Sequence, residues 1–338
     1  MEEGLPLVSL VVLNWNGEKC LESCLRSIFK QDYPNYEVIV VDNASTDASP
    51  RLIEEKFPKA RLIRNKANLG FAKGVNIGIK VAKGPIVAVL NNDVVLPQGW
   101  LSALVREMLK SPEVGIVSNA IYYHERGDVL WALGGKLDAF TGMCWHVGEG
   151  QRLAPDSHIK LDDLDYVPWC AVLVRKELFR KLGPLDENFF IYWEDVDFCL
   201  RARRAGYRVL VVPHVPTWHL VSFSAKKMLA FSYYHVMKGA FYLFLKHFPL
   251  RHVISAFFSH LVLLTLLELF VLRYPAYYAW LKLKGLLWTL RHLKHALAER
   301  RKMSMSSKGK GALKTRLLEV LERLRDVLRR ATHDKTPF

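Results

Sequence analysis

Residues 86–97 read IVAVLNNDVVLP, a continuous apolar run, Ile86–Leu90, that ends abruptly in Asn91-Asn92-Asp93. An unbroken run of this kind predicts a strand buried on both faces, as in a parallel sheet. The same pattern recurs outward from it. Val8–Leu13 is a second such run, Glu37–Val41 reads as another buried strand and Arg61–Ile63 as a short one. Helical spacing of apolar residues separates them at Glu18–Phe29, Phe71–Lys83 and Leu101–Leu109, and Ser49-Pro50 reads as a cap followed by Pro at the first helical position. Repeated β-α-β order implies a mainly parallel sheet with helices on both faces. In such sheets ligands bind beyond the carboxyl ends of the strands. Three polar clusters occupy that position: Asn14-Trp15-Asn16, Asp42-Asn43 and Asn91-Asn92-Asp93.

The 338 residues are enough for one large catalytic domain and an appendage. The net charge of +15 is unevenly held. Residues 1–221 carry 26 Lys/Arg against 27 Asp/Glu, whereas residues 222–338 carry 22 against 6. A basic excess confined to one end points to a polyanion, either a membrane surface or a nucleic acid. The five cysteines include no CxxC pair. Cys20 and Cys24, one helical turn apart among Leu21, Leu25 and Ile28, read as small buried hydrophobes, and a reducing compartment follows. The first residues, MEEGLPLVSL, have no basic region or cleavage site and are not expected to be a signal peptide.

Asp93 is the first candidate for chemistry. A carboxylate at the tip of a buried strand needs compensation, and a hard divalent cation bridging it to a diphosphate would supply it. The triplet also reads as a simple turn, since Asn and Asp favour turns. Glu194, Asp195 and Asp197 open a helix directly after Phe189–Trp193. The helix dipole accounts for one or two acidic residues there. A carboxylate kept ionised at that point could also act as a general base on a hydroxyl. His219, after the run Val209–Val212, is either structural or a second metal or diphosphate contact. No GxxxxGK[ST] phosphate loop occurs.

Five segments, in order, resemble glycosyltransferase family 2: VSLVVLNWNG (8–17), VVDNASTD (40–47), NLGFAKGVNIGI (68–79), VLNNDVVLP (89–97) and WEDVDFCLRARRAGY (193–207). The resemblance spans residues 7–221 and implies an α/β GT-A fold with a Rossmann-like sheet. It implies an inverting glycosyltransferase that moves a sugar from a nucleotide-diphosphate donor to a hydroxyl. It places Asn14, Trp15, Asp42, Asn68, Lys73 and Asn92 around the nucleotide sugar, with Trp15 packed on the base and Asp42 accepting a hydrogen bond from the pyrimidine. It assigns a divalent metal, Mg²⁺ or Mn²⁺, to Asp93 and His219, makes Asp195 the catalytic base and gives Glu194 the acceptor site. The family often has Asp where this chain has Asn91, so the metal site is less anionic. The NND form resembles the rhamnosyltransferase-like branch, implying a UDP- or dTDP-sugar donor such as dTDP-rhamnose and a glycan or lipid-linked acceptor in cell-surface polysaccharide synthesis.

The expected organisation is a catalytic domain over 1–221, an apolar and aromatic helical region over 222–298, a flexible basic linker over 299–312 and an amphipathic basic helix with its tail over 313–338. Val253–Val271 holds 19 residues of which only His260 and Glu268 are clearly polar. That is near the minimum for crossing a bilayer. With Tyr, Trp, Lys and Arg around it, the region is expected to lie at the interface or dip into one leaflet, on the cytoplasmic face of the membrane. Self-association through the last helix is a further expectation. The rivals are a nucleotide-sugar pyrophosphorylase, a nucleotide-sugar-binding protein without transfer activity, and a nucleic-acid-binding protein using the basic tail. The first lacks its Gly-rich basic loop, and the last lacks any nucleic-acid fold signature over a nearly neutral core.

Overall fold

The computed structural model describes residues 4–152, 161, 164–220, 229–272, 275–306, 319–320 and 322–325. The chain divides into two compact units, one comprising Met1–Lys136 and His146–Ser224, the other Leu137–Trp145 and Ala225–Phe338.

The first unit begins with strictly alternating elements. These are β1 (Val8–Asn14), α1 (Leu21–Ile28), β2 (Tyr36–Asp42), α2 (Ser49–Lys56), β3 (Arg61–Arg64), α3 (Gly70–Val81) and β4 (Ile86–Asn91). There follow β5 (Val94–Val95), α4 (Trp100–Leu109), β6 (Val114–Tyr123), β7 (Leu130–Ala132), β8 (Gly135–Leu137), β9 (Cys144–His146), β10 (Ala171–Arg175), α5 (Lys176–Leu182), α6 (Glu194–Arg204) and β11 (Arg208–His219). The main sheet has the order β3-β2-β1-β4-β10-β6-β11-β5, with β7 added beside β6. Strands β3, β2, β1 and β4 are parallel, as expected from the apolar runs. Strand β10 departs from that pattern: it runs antiparallel between β4 and β6. Its five residues AVLVR lie in a region whose irregular composition hid them.

The core forms because β1, β2 and β4 are covered on both faces. Val8, Leu10, Val12, Val40, Ala88 and Leu90 on one face pack with Leu25 and Ile28 of α1 and Leu101 and Leu104 of α4. Trp100 is fully buried, and its indole N–H donates to Asn119 Oδ1 at 3.1 Å. Gly74 and Gly78 let α3 sit close on the other face, where an added Cβ would strike Leu13 or Val11. The start of α2 differs from expectation. Ala48 is the flanking residue, and the Ser49 hydroxyl donates to Asp47 rather than capping the helix. Asp47 lies two residues back and accepts both the Ser49 hydroxyl and its backbone N–H, a local turn that draws Ser49 into the first helical position.

Apart from Leu137–Trp145, where β8 ends and β9 begins, the described part of the second unit is helical: α7 (Leu229–His247), α8 (Leu250–Phe258), α9 (Leu264–Leu266), α10 (Ala276–Arg291) and α11 (Leu293–Ser306). Two π-helical turns, Ser259–Leu263 and Leu267–Val271, flank α9 and make one continuous rod with α8. Such turns loosen the backbone ladder. Here Lys282 Nζ and Thr265 Oγ1 both reach the carbonyl of His260, each at 3.0 Å. Lys282 is itself buried and pairs with Glu268 at 2.8 Å, which also accepts the Tyr233 hydroxyl. The expected linker over 299–312 begins instead as helix, because α11 runs through Ser306. Its residues are strong helix formers, and Lys302 pairs with Glu299 one turn earlier. Residues 307–312 lie outside the described residues. Of the helix expected over 313–330, residues 319–320 and 322–325 are described and are helical.

Arg201 anchors α6. It pairs with the buried Asp197 at 2.9 Å and donates to the carbonyls of Leu182, Gly183 and Pro184. Removing one partner of a buried pair leaves the other charge uncompensated, at a cost of about 3–5 kcal/mol. Arg201→Met is therefore expected to lower the urea midpoint of the catalytic unit sharply, with the slope of the transition unchanged.

Candidate functional site

The ends of β1, β2 and β4 meet in register. Asn14 stands opposite Asp42, and Leu13 opposite Asn91. Asn14 is fully buried. Its amide donates to Asp42 Oδ1 at 2.8 Å and to Ser49 Oγ at 2.8 Å, and its carbonyl oxygen accepts from Asn92 Nδ2 at 2.8 Å. Gly17 permits that last contact, since a Cβ there would collide with both asparagine side chains. Asp42 is 1% exposed and spends its second oxygen on the Ser45 backbone N–H. The loop carrying Trp15 is stitched to the loop after β2: Asn16 N–H donates to Ser45 Oγ, and Thr46 N–H donates to Asn16 Oδ1, both at 2.8 Å. Trp15, next to Asn14 in the chain, remains half-buried.

Two further sequence-derived candidates lie along α3. Asn68 caps the Gly70 N–H at 2.9 Å and touches Asn43. Lys73 is exposed and faces Glu187 at 3.4 Å. Glu187 was not foreseen as a neighbour, because it lies more than a hundred residues away in the chain.

Asp93 and His219 are brought together by strand pairing. His219 ends β11 opposite Val94 of β5, and the Leu220 N–H donates to the Asp93 carbonyl at 3.0 Å. Nε2 of His219 then lies 3.1 Å from Asp93 Oδ1. Burial alone would raise the Asp93 carboxyl. The facing His219 ring, the local backbone N–H and the Asn91 side chain outweigh it and hold the carboxyl below its ordinary value. The close approach lacks hydrogen-bond alignment, and both Asp93 Oδ1 and His219 Nδ1 are buried without a hydrogen-bond partner. Asp93 Oδ1 and His219 Nε2, a carboxylate oxygen and a ring nitrogen 3.1 Å apart, form a donor pair that fits a divalent cation. Among the described residues no group of three or more His, Cys, Asp or Glu side chains is placed to hold a metal. The pair would therefore need a diphosphate to complete the coordination.

Two aromatic residues escaped the sequence reading. Trp131 of β7 stands edge-on to both His146 and His219, with ring centroids 4.4 Å and 4.9 Å away. They fix one wall beside the Asp93–His219 pair. No local sequence signal marks them, since β7 and β9 are three-residue strands.

Asp195 is reached from the far side of β4. Asn91 N–H donates to the Cys170 carbonyl at 2.9 Å, and the preceding residue, Trp169, donates its backbone N–H to Asp195. The Cys170 thiol feels both Asp93 and Asp195, which add to burial in raising it. Burial pushes the Asp195 carboxyl up from 3.8 to about 6, against backbone hydrogen bonds from Val196, Trp169 and Asp195 itself. Glu194 is 5% exposed beside it. The turn that delivers both carboxylates is strained. Phe190, Tyr192 and Trp193 all have positive φ, at 68°, 67° and 74°. Non-glycine residues in this region cost of order 1–3 kcal/mol each and persist where surrounding structure imposes them. The Phe190 carbonyl is held by the backbone N–H groups of Phe71 and Ala72 at the start of α3.

The chain matches the sequence model for Glycosyl transferase family 2 over residues 9–183. It is similar to the O-antigen biosynthesis protein RfbC of Myxococcus xanthus, 30% identical over 233 residues, covering 66% of this chain and 18% of that protein. It is also similar to the N-acetylglucosaminyl-diphospho-decaprenol L-rhamnosyltransferase of Mycobacterium tuberculosis, 27% identical over 242 residues, covering 65% of this chain and 76% of that one. The chain spans between 18% and 25% of the length of two of its curated relatives. Among solved structures it resembles the mannosyltransferase PcManGT from Pyrobaculum calidifontis in complex with GDP-Man and Mn²⁺. That likeness has a TM-score of 0.54 at 19% identity and covers 98% of this chain and 87% of the other. The architecture is the GT-A fold.

The raised Asp195 carboxyl makes a measurable claim. In the folded protein it holds its proton up to about pH 6, whereas in the unfolded chain it loses it near 3.8. The folded state therefore binds more protons in that window, and stability falls as pH rises through it. Asp195→Asn should gain stability relative to the parent above pH 6 and show little difference below pH 4, in denaturant titrations at both ends.

Proposed function

The chain belongs to glycosyl transferase family 2, and from that premise we propose that it transfers a hexosyl or rhamnosyl unit with inversion from a UDP- or dTDP-sugar, such as dTDP-rhamnose, to a hydroxyl of a lipid-linked glycan. The observation that carries the reading is the convergence of Asp93, His219 and Asp195 around the ends of β4 and β10. The acceptor class is supported by the mycobacterial relative, whose name specifies a diphospho-decaprenol substrate. The NND form of the triplet after β4 supports the rhamnosyl donor. A polyprenyl-linked acceptor would place the reaction at the cytoplasmic face of the membrane.

In this reading Trp15 packs on the base, and the loop that carries it is held to the loop after β2 by Asn16, Ser45 and Thr46. Asn68, Lys73 and Asn92 line the path of the ribose and diphosphate. Asp93 and His219 would hold the divalent cation, Mg²⁺ or Mn²⁺, which would supply charge neutralisation for the departing diphosphate. Asp195 accepts the proton of the acceptor hydroxyl as its oxygen attacks the anomeric carbon and the bond to the diphosphate breaks. A carboxyl near 6 is ionised at neutral pH yet more basic than an ordinary aspartate, which suits it to that task. Glu194 shapes the acceptor side of the same turn.

The test is a donor panel of UDP-, GDP- and dTDP-sugars with Mg²⁺ or Mn²⁺ and a polyprenyl-diphosphate-linked sugar as acceptor, read by nucleotide release and product mass. Asp195→Asn is expected to lower the transfer rate by ~10²–10⁴, with donor affinity retained. Full turnover in that variant would move the base to another residue. EDTA and Asp93→Ala are each expected to abolish transfer, and undiminished activity in EDTA would remove the metal from the reading. Donor binding without turnover under every condition would favour a binding protein that does not transfer.

A further inference from the structure

The rod formed by α8, α9 and their π turns is long and apolar enough to cross a bilayer, with a mean hydropathy of 2.0 over Leu250–Phe270. Its surface is nevertheless two-sided. Val253, Ala256, Ser259 and His260 are buried within the helical unit. Leu250, Ile254, Phe258, Leu263, Leu266 and Phe270 are exposed, between 49% and 75%, at near-constant intervals of one helical turn. Helix α10 repeats the arrangement. Leu281, Lys282, Gly285 and Thr289 face inward, while Tyr277, Trp280, Leu283, Leu287 and Leu290 face outward at intervals of three and four. A soluble monomer rarely leaves two such stripes uncovered.

Charge decides what covers them. Glu268 is the sole carboxylate between residues 250 and 294, and Lys282 and Tyr233 both hold it. The other ionised groups on the described part of this stretch are cations, with Arg251, Lys284, Arg291 and Lys294 all exposed. Lys284 Nζ lies 5.2 Å from the Trp280 ring centre and 5.3 Å from that of Tyr234, an amphipathic pairing suited to a headgroup layer. Crossing is disfavoured by the same facts. One side of the rod is committed to packing against polar groups, and α10 carries two lysines at mid-length.

We propose that the outward faces of the α8–α9 rod and of α10 are a docking surface for one leaflet of an anionic phospholipid bilayer, into which their apolar stripes insert while Arg251, Lys284, Arg291 and Lys294 take the headgroup phosphates. The proposal deepens the lipid-linked reading above but rests on helix surfaces alone. Its test needs neither donor nor acceptor, so the two readings fail separately.

The full chain is mixed with sucrose-loaded vesicles of phosphatidylcholine alone or with phosphatidylglycerol, and sedimented. The expected result is strong association with the anionic vesicles, weakened but not abolished by high salt. Ile254→Ser/Phe258→Ser/Trp280→Ser should lose at least about tenfold in partition, with its helical circular dichroism and nucleotide binding unchanged. Lys284→Gln/Arg291→Gln/Lys294→Gln should lose the preference for anionic lipid and keep the salt-resistant part. Wild-type protein that stays in the supernatant at low salt overturns the proposal, and elution as a dimer whose association the apolar variant breaks would identify a second copy as the true occupant. Equal partition of the apolar variant and the parent would overturn it as well.

Discussion

The buried amide of Asn14 is the constraint on which the catalytic unit depends. It ends the central parallel strand, and its two polar atoms are divided between the ends of the neighbouring strands: the amide goes to Asp42 and Ser49, the carbonyl to Asn92. A buried polar group without partners is costly, so the network is satisfied all together or not at all. Its geometry fixes where the loop carrying Trp15 leaves the sheet and where the peptide of Asp93 begins. The glycine at position 17 is required for the same reason, since no side chain fits between the two asparagines.

A second restraint acts from outside the parallel half. Strand β10 enters antiparallel beside β4, and its leading residues, Trp169 and Cys170, give one backbone contact to Asp195 and another to Asn91. Asp195 and the end of β4, two residues before Asp93, are thereby tied to adjacent backbone groups. The strained turn at 190–193 is the local counterpart. Its left-handed residues are held by the N-terminus of α3, so the donor-side helix and the catalytic helix share a backbone junction.

The parallel half was legible because three of its strands are apolar runs that each end in a polar cluster, and with the short β3 they set the order of elements up to Asn91. The residues alone left His219 either structural or a second metal contact, and family resemblance joined it to Asp93, since a contact across 126 residues has no local signal. Trp131, His146 and β10 were not legible at all. Three- and five-residue strands bury too few side chains to show a period, and tertiary packing alone selects them. In the helical unit the apolar run around Leu250–Phe270 was plain from composition. Its division into a buried side and an exposed side depends on which residues α7 and α10 cover.

The antiparallel insertion of β10 also shapes how the chain acquires its structure. During synthesis β1 to β4 can pair as soon as residue 91 has emerged, but the outer edge of β4 then has no neighbour. The strand that covers it, β10, comes some eighty residues later, which at ~5–20 residues per second leaves that edge open for roughly 4–16 s. An unpaired central-strand edge of sequence IVAVL is a template for intermolecular pairing. Nascent chains of this protein therefore pass through an interval in which the same apolar runs that define the sheet expose it to misassembly, and shielding by the ribosome surface or a chaperone matters most while residues 92–170 are being made.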